Sequence, residues 1–243
     1  MSEAWRQLGA TRAGGILLIA DHASAFVPAD IDLGIDPALL GEHIAIDIGV
    51  AEVAALLVEG GAVDAAILGG VSRLVVDCNR EEDAPGVLPI ASDGHAVPGN
   101  ALDDAGREAR LARFFRPYHD HIAATIAAYR PAMILSLHSF TPALAAHPEQ
   151  ARPWHVGVLY NEDDRLAAAA IAALAAEGLN VGDQLPYSGK LLNATMNRHA
   201  EGNGIPYVGI EMRQDLVRDA AGQALFAERL SRMCSKVTLN LAG

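Results

Sequence analysis

The sequence predicts an α/β fold of three layers, αβα, with a mainly parallel central sheet covered by helices on both faces. Short apolar runs, ILLIA at 16–20, AMILSL at 132–137 and YVGI at 207–210, alternate with longer stretches of helical periodicity. Hydrophobic residues make up 51% and charged residues only 20%, which is enough apolar material for a core on each side of a sheet. No linker or change of composition divides the 243 residues, so a single domain spanning 1–243 is expected.

Taken in order, 16–20 is a continuous apolar strand, and ADHASAFVPADIDLG after it is a polar, proline-containing loop. From about 37 to 58 the periodicity is helical, with Val50, Val53, Ala54 and Leu57 on one face and Asp47 starting the same inward stripe. Residues 65–68 and 73–76 read as short strands, the second ending in Asp77-Cys78-Asn79-Arg80, and a loop rich in Asp, Gly and Pro runs on to about 100. The stretch 103–129 reads as a helix interrupted near Pro117, because proline lacks a backbone donor and clashes with the preceding turn. Its basic residues are expected in solvent. Strands follow at 132–137 and 156–160, then a helix at 165–177 stopped by Gly178. PYSGKLLNATMNRHAEGNG is too polar for core; 207–210 is a last buried strand and 219 to about 239 a closing helix. Strands alternating with helices imply parallel pairing.

The net charge of −12 argues against a nucleic-acid partner, since phosphate binding needs a basic surface, whereas a local arginine cluster can still take a small anionic substrate. The first fifteen residues show no signal-type apolar stretch, and the longest apolar helical segment, 166–176, falls short of the ~20 residues that span a bilayer. A cytoplasmic protein with no membrane partner is expected. Cys78 and Cys234 form no disulfide framework and no closely spaced metal pair, and are read as small core residues.

The residues that suggest chemistry sit where strands give out: Asp21-His22 after ILLIA, His138-Ser139 after MILSL, and Glu211 with Arg213 after YVGI. Open α/β sheets keep their ligands at the carboxyl ends of strands. Two imidazoles and a carboxylate make the usual catalytic zinc shell with one position open to water. His22 and His138 supply the imidazoles and Asp47 the carboxylate; Asp21 is the rival carboxylate, or else an acceptor that orients an imidazole. Glu211 is either salt-bridged or a general base. Arg73, Arg80 and Arg213 flank strand ends and can grip carboxylates, or serve as structural ion pairs. Lys190 and His199 lie on polar segments as candidate substrate contacts. Ser139 beside His138 makes no catalytic triad, because neighbours on a strand face opposite ways, and there is no G-x-S-x-G turn. No phosphate-binding loop or dinucleotide fingerprint occurs, since Gly69-Gly70 precedes a strand, so no nucleotide cofactor is expected.

Seven pieces spread in order along the chain carry a resemblance: ADHAS at 20–24, AIDIGVAEVAALL at 45–57, SRLVVDCNR at 72–80, LHSFTP at 137–142, PYSGK at 186–190, TMNRH at 195–199 and GIEMRQDL at 209–216. Together they resemble the N-formylglutamate amidohydrolase family. The resemblance implies a zinc-peptidase-like fold of the phosphorylase/hydrolase kind and metal-dependent hydrolysis of the amide bond of N-formyl-L-glutamate or a closely related N-acyl amino acid. It implies Zn2+ held by His22, Asp47 and His138, with Glu211 catalytic; Asn79-Arg80 resembles an Asn-Arg pair that binds the substrate carboxylate in carboxypeptidase-like relatives. Cys78 stands where the family more often has leucine, a packing change. A small anionic substrate and a place in histidine catabolism go with this reading. The alternatives are a zinc amidase acting on a peptide or cell-wall amide, and a non-catalytic ligand-binding protein on the same fold.

Overall fold

The computed structural model describes residues 3–241. Along the chain come β1 (Trp5–Gly9), β2 (Ile16–Ala20), α1 (Val50–Glu59), β3 (Ala65–Gly69), the hairpin β4 (Ala91–Ser92) and β5 (His95–Ala96), α2 (Asp104–Arg110) and α3 (Arg116–Tyr129). They are followed by β6 (Met133–Phe140), β7 (Val156–Leu159), α4 (Ala167–Ala176), β8 (Val181–Asp183), α5 (Ala194–His199), β9 (Tyr207–Arg213) and α6 (Ala220–Leu241). The main sheet has the order β1-β3-β2-β6-β9-β7-β8. β3, β2, β6 and β9 run parallel at its centre, while β1 and the β7-β8 pair run the other way at the two sides. No helix among the described residues is long and apolar enough to cross a membrane.

Alternation along the central strands divides the core into two layers. Leu135 and Leu137 of β6 and Val208, Ile210 and Met212 of β9 join α1, α4 and α6 on one face. Ile134 and Tyr207 join Phe114, Phe115, Tyr118, Ile122 and Met196 on the other. In α1 the buried residues are Val50, Val53, Ala54 and Leu57, the stripe read from the sequence. Gly49 opens that helix at φ +81, and a Cβ there would lie 2.2 Å from the carbonyl oxygen of Val217.

Four expectations change. Residues 73–76 form turns and not a strand: Val71, Leu74, Val75, Val76 and Cys78 are buried, but in an irregular segment. Its carbonyls find side-chain donors instead of a neighbouring strand, Leu74 from Asn100 Nδ2 at 2.8 Å and Val75 from Arg110 Nη1 at 3.0 Å. For the same reason Arg110, expected in solvent, is buried. Pro117 does not break the helical stretch: a π-helical turn at Leu111–Phe115 runs directly into α3, with Phe115 and Arg116 both in right-handed helical conformation. β6 and β9 also outrun their apolar runs, so that His138, Glu211 and Arg213 lie on strands and not beyond them, with His138 opposite Glu211 in register. β1, β8 and the small hairpin carry too little apolar pattern to be seen in the sequence.

His199 sits on α5 and is buried against α3. The Nε2–H of His119 donates to the Cys78 carbonyl at 3.1 Å, leaving its Nδ1 to accept from His199 Nε2 at 2.9 Å. Burial holds His119 down at about 3 and His199 at about 4, the Arg198 charge adding to the depression of both.

Two measurements follow. Gly49→Ala is expected to lower the unfolding free energy by about 1–3 kcal/mol in urea titration, from left-handed strain and the clash with Val217. In the metal-free protein, the unfolded chain takes up protons between about pH 6.5 and about pH 4 that the neutral His119–His199 pair refuses, so the pair's contribution is complete above this window and lost as pH falls through it. His22 and His138, whose pKa values are raised, act with the opposite sign, so the diagnostic is the difference between wild type and His199→Gln. The variant's urea midpoint should fall less on acidification; parallel curves would exclude the pair as a source of acid sensitivity.

Candidate active site

The carboxyl ends of the central parallel strands deliver a cluster of charge into a cavity of about 400 Å3. His22 leaves β2, His138 projects from β6, and Asp47 sits in the turn before α1, where its backbone N–H is held by the His22 carbonyl at 3.0 Å. All three are buried, and one donor atom from each lies within 4.8 Å of the others. Asp47 Oδ2 lies 2.9 Å from His138 Nδ1 and 3.4 Å from His22 Nδ1. Each ring's far nitrogen has a carboxylate behind it: Asp77 Oδ1 accepts from His22 Nε2 at 2.7 Å, and Asp21 Oδ2 faces His138 Nε2 at 3.5 Å. Converging Nδ1 atoms with carboxylates at the far nitrogens fit a divalent metal, because such partners fix the tautomer that presents a lone pair inward. Asp21 therefore stands behind an imidazole, its Oδ1 accepting from Tyr118 at 2.9 Å and Thr195 at 2.8 Å.

Burial alone would raise these aspartates. It is outweighed at Asp47 by His22, His138 and Arg73, and at Asp77 by His22, Arg73 and Arg80, so both are held below the usual carboxylate range. Glu211 differs. It lines the same cavity, is 8% exposed, and its Oε2 has no hydrogen-bond partner among the described residues. Burial, reinforced by the Asp47 charge and opposed by His138 and Arg73, pushes it up to about 7. One edge thus holds ionised carboxylates beside a carboxyl group able to exchange a proton near neutrality.

Arg73, Asn79 and Arg80 line the cavity, brought there by the irregular 71–80 segment. Arg73 spans Asp47 (3.3 Å) and Asp77 (2.9 Å), while Arg80 reaches Asp77 only at 3.7 Å. The structure does not bring Lys190, His199 or Arg213 to the cavity wall. Lys190 is exposed on a turn, and His199 is taken by His119. Arg213 is drawn into a two-point pair with Asp215 (2.8 and 3.2 Å) and toward the Pro153 carbonyl.

Sequence reasoning gave no role to Asp77, Tyr187 or Arg152. An aspartate between Val76 and Cys78 in an apolar run was the available signal for Asp77, since a buried carboxylate must have a partner. Tyr187 lines the cavity, and its hydroxyl accepts from Arg152 Nη1 at 2.9 Å. The β4-β5 turn also lines the cavity, and its Asp93 accepts from His43 Nε2 and from the backbone N–H groups of Ala145 and Ala146, each at 2.9 Å.

The crystal structure of a gene product from Agrobacterium tumefaciens is similar with a TM-score of 0.91 and 32% identity, covering 99% of this chain and 96% of that one. The N-formylglutamate amidohydrolase from Ralstonia eutropha is similar in fold, with a TM-score of 0.72 at 18% identity over 99% of this chain and 98% of that one. No curated protein matches the chain. A match to the N-formylglutamate amidohydrolase family extends over residues 14–218, taking in the strands and loops that build the cavity. On that match the chain is an amidohydrolase and belongs to the N-formylglutamate amidohydrolase family.

Proposed function

We propose that this chain, as one domain spanning 1–243, hydrolyses the amide bond of N-formyl-L-glutamate or a closely related N-acyl amino acid, with Zn2+ held by His22, Asp47 and His138. The observation that carries this reading is Glu211: a buried carboxyl group with an unpartnered oxygen, aimed into the cavity beside a His-Asp-His cluster. When bound, zinc lowers the pKa of a water to about 7 and polarises the amide carbonyl.

Glu211 takes a proton as the water oxygen adds to the acyl carbon. It returns that proton to the amide nitrogen as the carbon–nitrogen bond breaks, releasing the acid and the free amino acid. Arg80, half-exposed in the cavity and only loosely held by Asp77, has a guanidinium available for a carboxylate of the substrate. Asn79 assists from the same loop; its Oδ1 accepts from Thr195 N at 3.1 Å, which turns its amide N–H2 elsewhere. Arg73, occupied by Asp47 and Asp77, chiefly fixes their positions.

The assay is glutamate release from N-formyl-L-glutamate, with and without chelator. Glu211→Gln should retain metal and lose about 10²–10⁴-fold in kcat; undiminished turnover would remove Glu211 from the proton path. His138→Ala should lose the metal, read by elemental analysis. Asp77→Asn should weaken metal binding about 10–100-fold in chelator competition, since the His22 ring loses its anionic acceptor.

A further inference from the structure

Arg152 is a buried cation that the proposed chemistry leaves unused. It is 8% exposed, and among the described residues no carboxylate lies within ion-pair distance of it. A buried guanidinium ordinarily has an anionic partner. Here Nη1 donates to the Tyr187 hydroxyl at 2.9 Å and to the Thr141 carbonyl at 3.3 Å, and the guanidinium carbon lies 5.0 Å from the centre of the Tyr187 ring. Thr141 and Tyr187 both line the cavity, on loops that follow β6 and β8, so one arginine joins the two walls.

The bond to Arg152 has a direction. A guanidinium only donates, so the phenolic oxygen accepts and the phenol's own proton is left to donate. No acceptor for it occurs among the described residues, while the side chain lines the cavity with Glu211. Burial, and after it the Glu211 charge, raises the Tyr187 pKa, so the proton stays in place at neutral pH. The approach of this segment is built in: a Cβ on Gly157 would lie 2.4 Å from the Leu185 carbonyl oxygen and 3.4 Å from Glu211 Cβ, so the glycine lets the chain leading to Tyr187 cross β7 beside Glu211. Arg73, a second cation in electrostatic reach of Tyr187, has its nitrogens on Asp47 and Asp77.

We propose that Tyr187 is a catalytic residue that donates a hydrogen bond to the acyl carbonyl oxygen of the substrate as that oxygen gains negative charge, and that Arg152 is its positioning residue. The phenol keeps its proton throughout, and the nearby guanidinium makes it a stronger donor. This rests on the amide-hydrolysis reading above and adds the group that meets the developing charge.

The test uses the metal-loaded enzyme, with metal content and thermal unfolding measured for each variant. Tyr187→Phe is expected to lower kcat about 100-fold with KM little changed, the behaviour of a lost donor to a developing oxyanion. It should weaken by a similar factor a glutamate analogue with phosphonomethyl in place of the formylamino group, whose tetrahedral anion resembles the transition state, while leaving the planar carboxymethyl counterpart unchanged. Arg152→Met should lower kcat less, and the double variant should match Tyr187→Phe alone, because the arginine acts through the phenol. A rise in KM at constant kcat, equal weakening of both analogues, or additive losses in the double variant would overturn the proposal while wild-type turnover stands. Wild-type protein that hydrolyses no N-acyl amino acid and binds neither analogue would overturn the functional reading and this inference with it.

Discussion

Three carboxylates, Asp21, Asp47 and Asp77, are buried at one edge of the sheet, and the surrounding structure is organised by the need to meet their charge. An unpaired ion in such a place costs several kcal/mol, so each carboxylate needs donors or cations close by. Asp21 is met by Tyr118 of α3 and Thr195 of α5, Asp47 by Arg73 and the backbone N–H of Ser139 on β6, and Asp77 by His22, Arg73 and the backbone N–H of Asn79. Beyond the strands and strand ends themselves, the donors come from α3, α5 and the 71–80 segment, which all pack on one face of the sheet. The same bonds that neutralise the edge also dock α3, α5 and the 71–80 segment onto it.

Glu211 breaks this pattern, and the contrast is chemical. It occupies the position on β9 in register with His138, yet no hydrogen bond to its side chain offsets its burial, so its proton affinity rises where that of Asp47 and Asp77 falls. Carboxyl groups on one edge are thereby given different character by their neighbours: two stand behind imidazoles, one lies between the two rings, and one is held where it can gain or lose a proton near neutrality. An amidohydrolase needs this separation, because a group that is always ionised cannot protonate a leaving amine and a group that is always protonated cannot take a proton from water.

Much of the fold is legible because it is written in short-range periodicity. The stripe Val50, Val53, Ala54, Leu57 shows α1, and the apolar runs show β2, β6 and β9. The failures have a common cause. Residues 73–76 carry strand-like apolar residues, but their carbonyls are met by Asn100 and Arg110, which lie 26 and 35 residues away, and no local pattern announces such donors. β1 and β8 are half-exposed side strands whose pairing, not their composition, makes them strands. In β6 and β9 the polar residues at 138 and 211 mask strand that continues, because it is the backbone pairing of the two strands with each other that carries them past their apolar runs.

By itself the sequence determined the alternation of strands and helices, placed His22, His138 and Glu211 at the ends of central apolar runs, and displayed the ordered motifs of the family. These are properties of local spacing, and backbone geometry converts spacing into a face and an end. Tertiary structure alone decided the partners: that Asp47, 91 residues before His138, reaches its Nδ1, that Asp77 backs His22, and that Arg152 turns to Tyr187. It likewise drew Arg213 to Asp215 and His199 to His119. A buried charge takes its partner from whatever long-range packing brings within about 3 Å, and that distance is set by the sheet order and the loops above it.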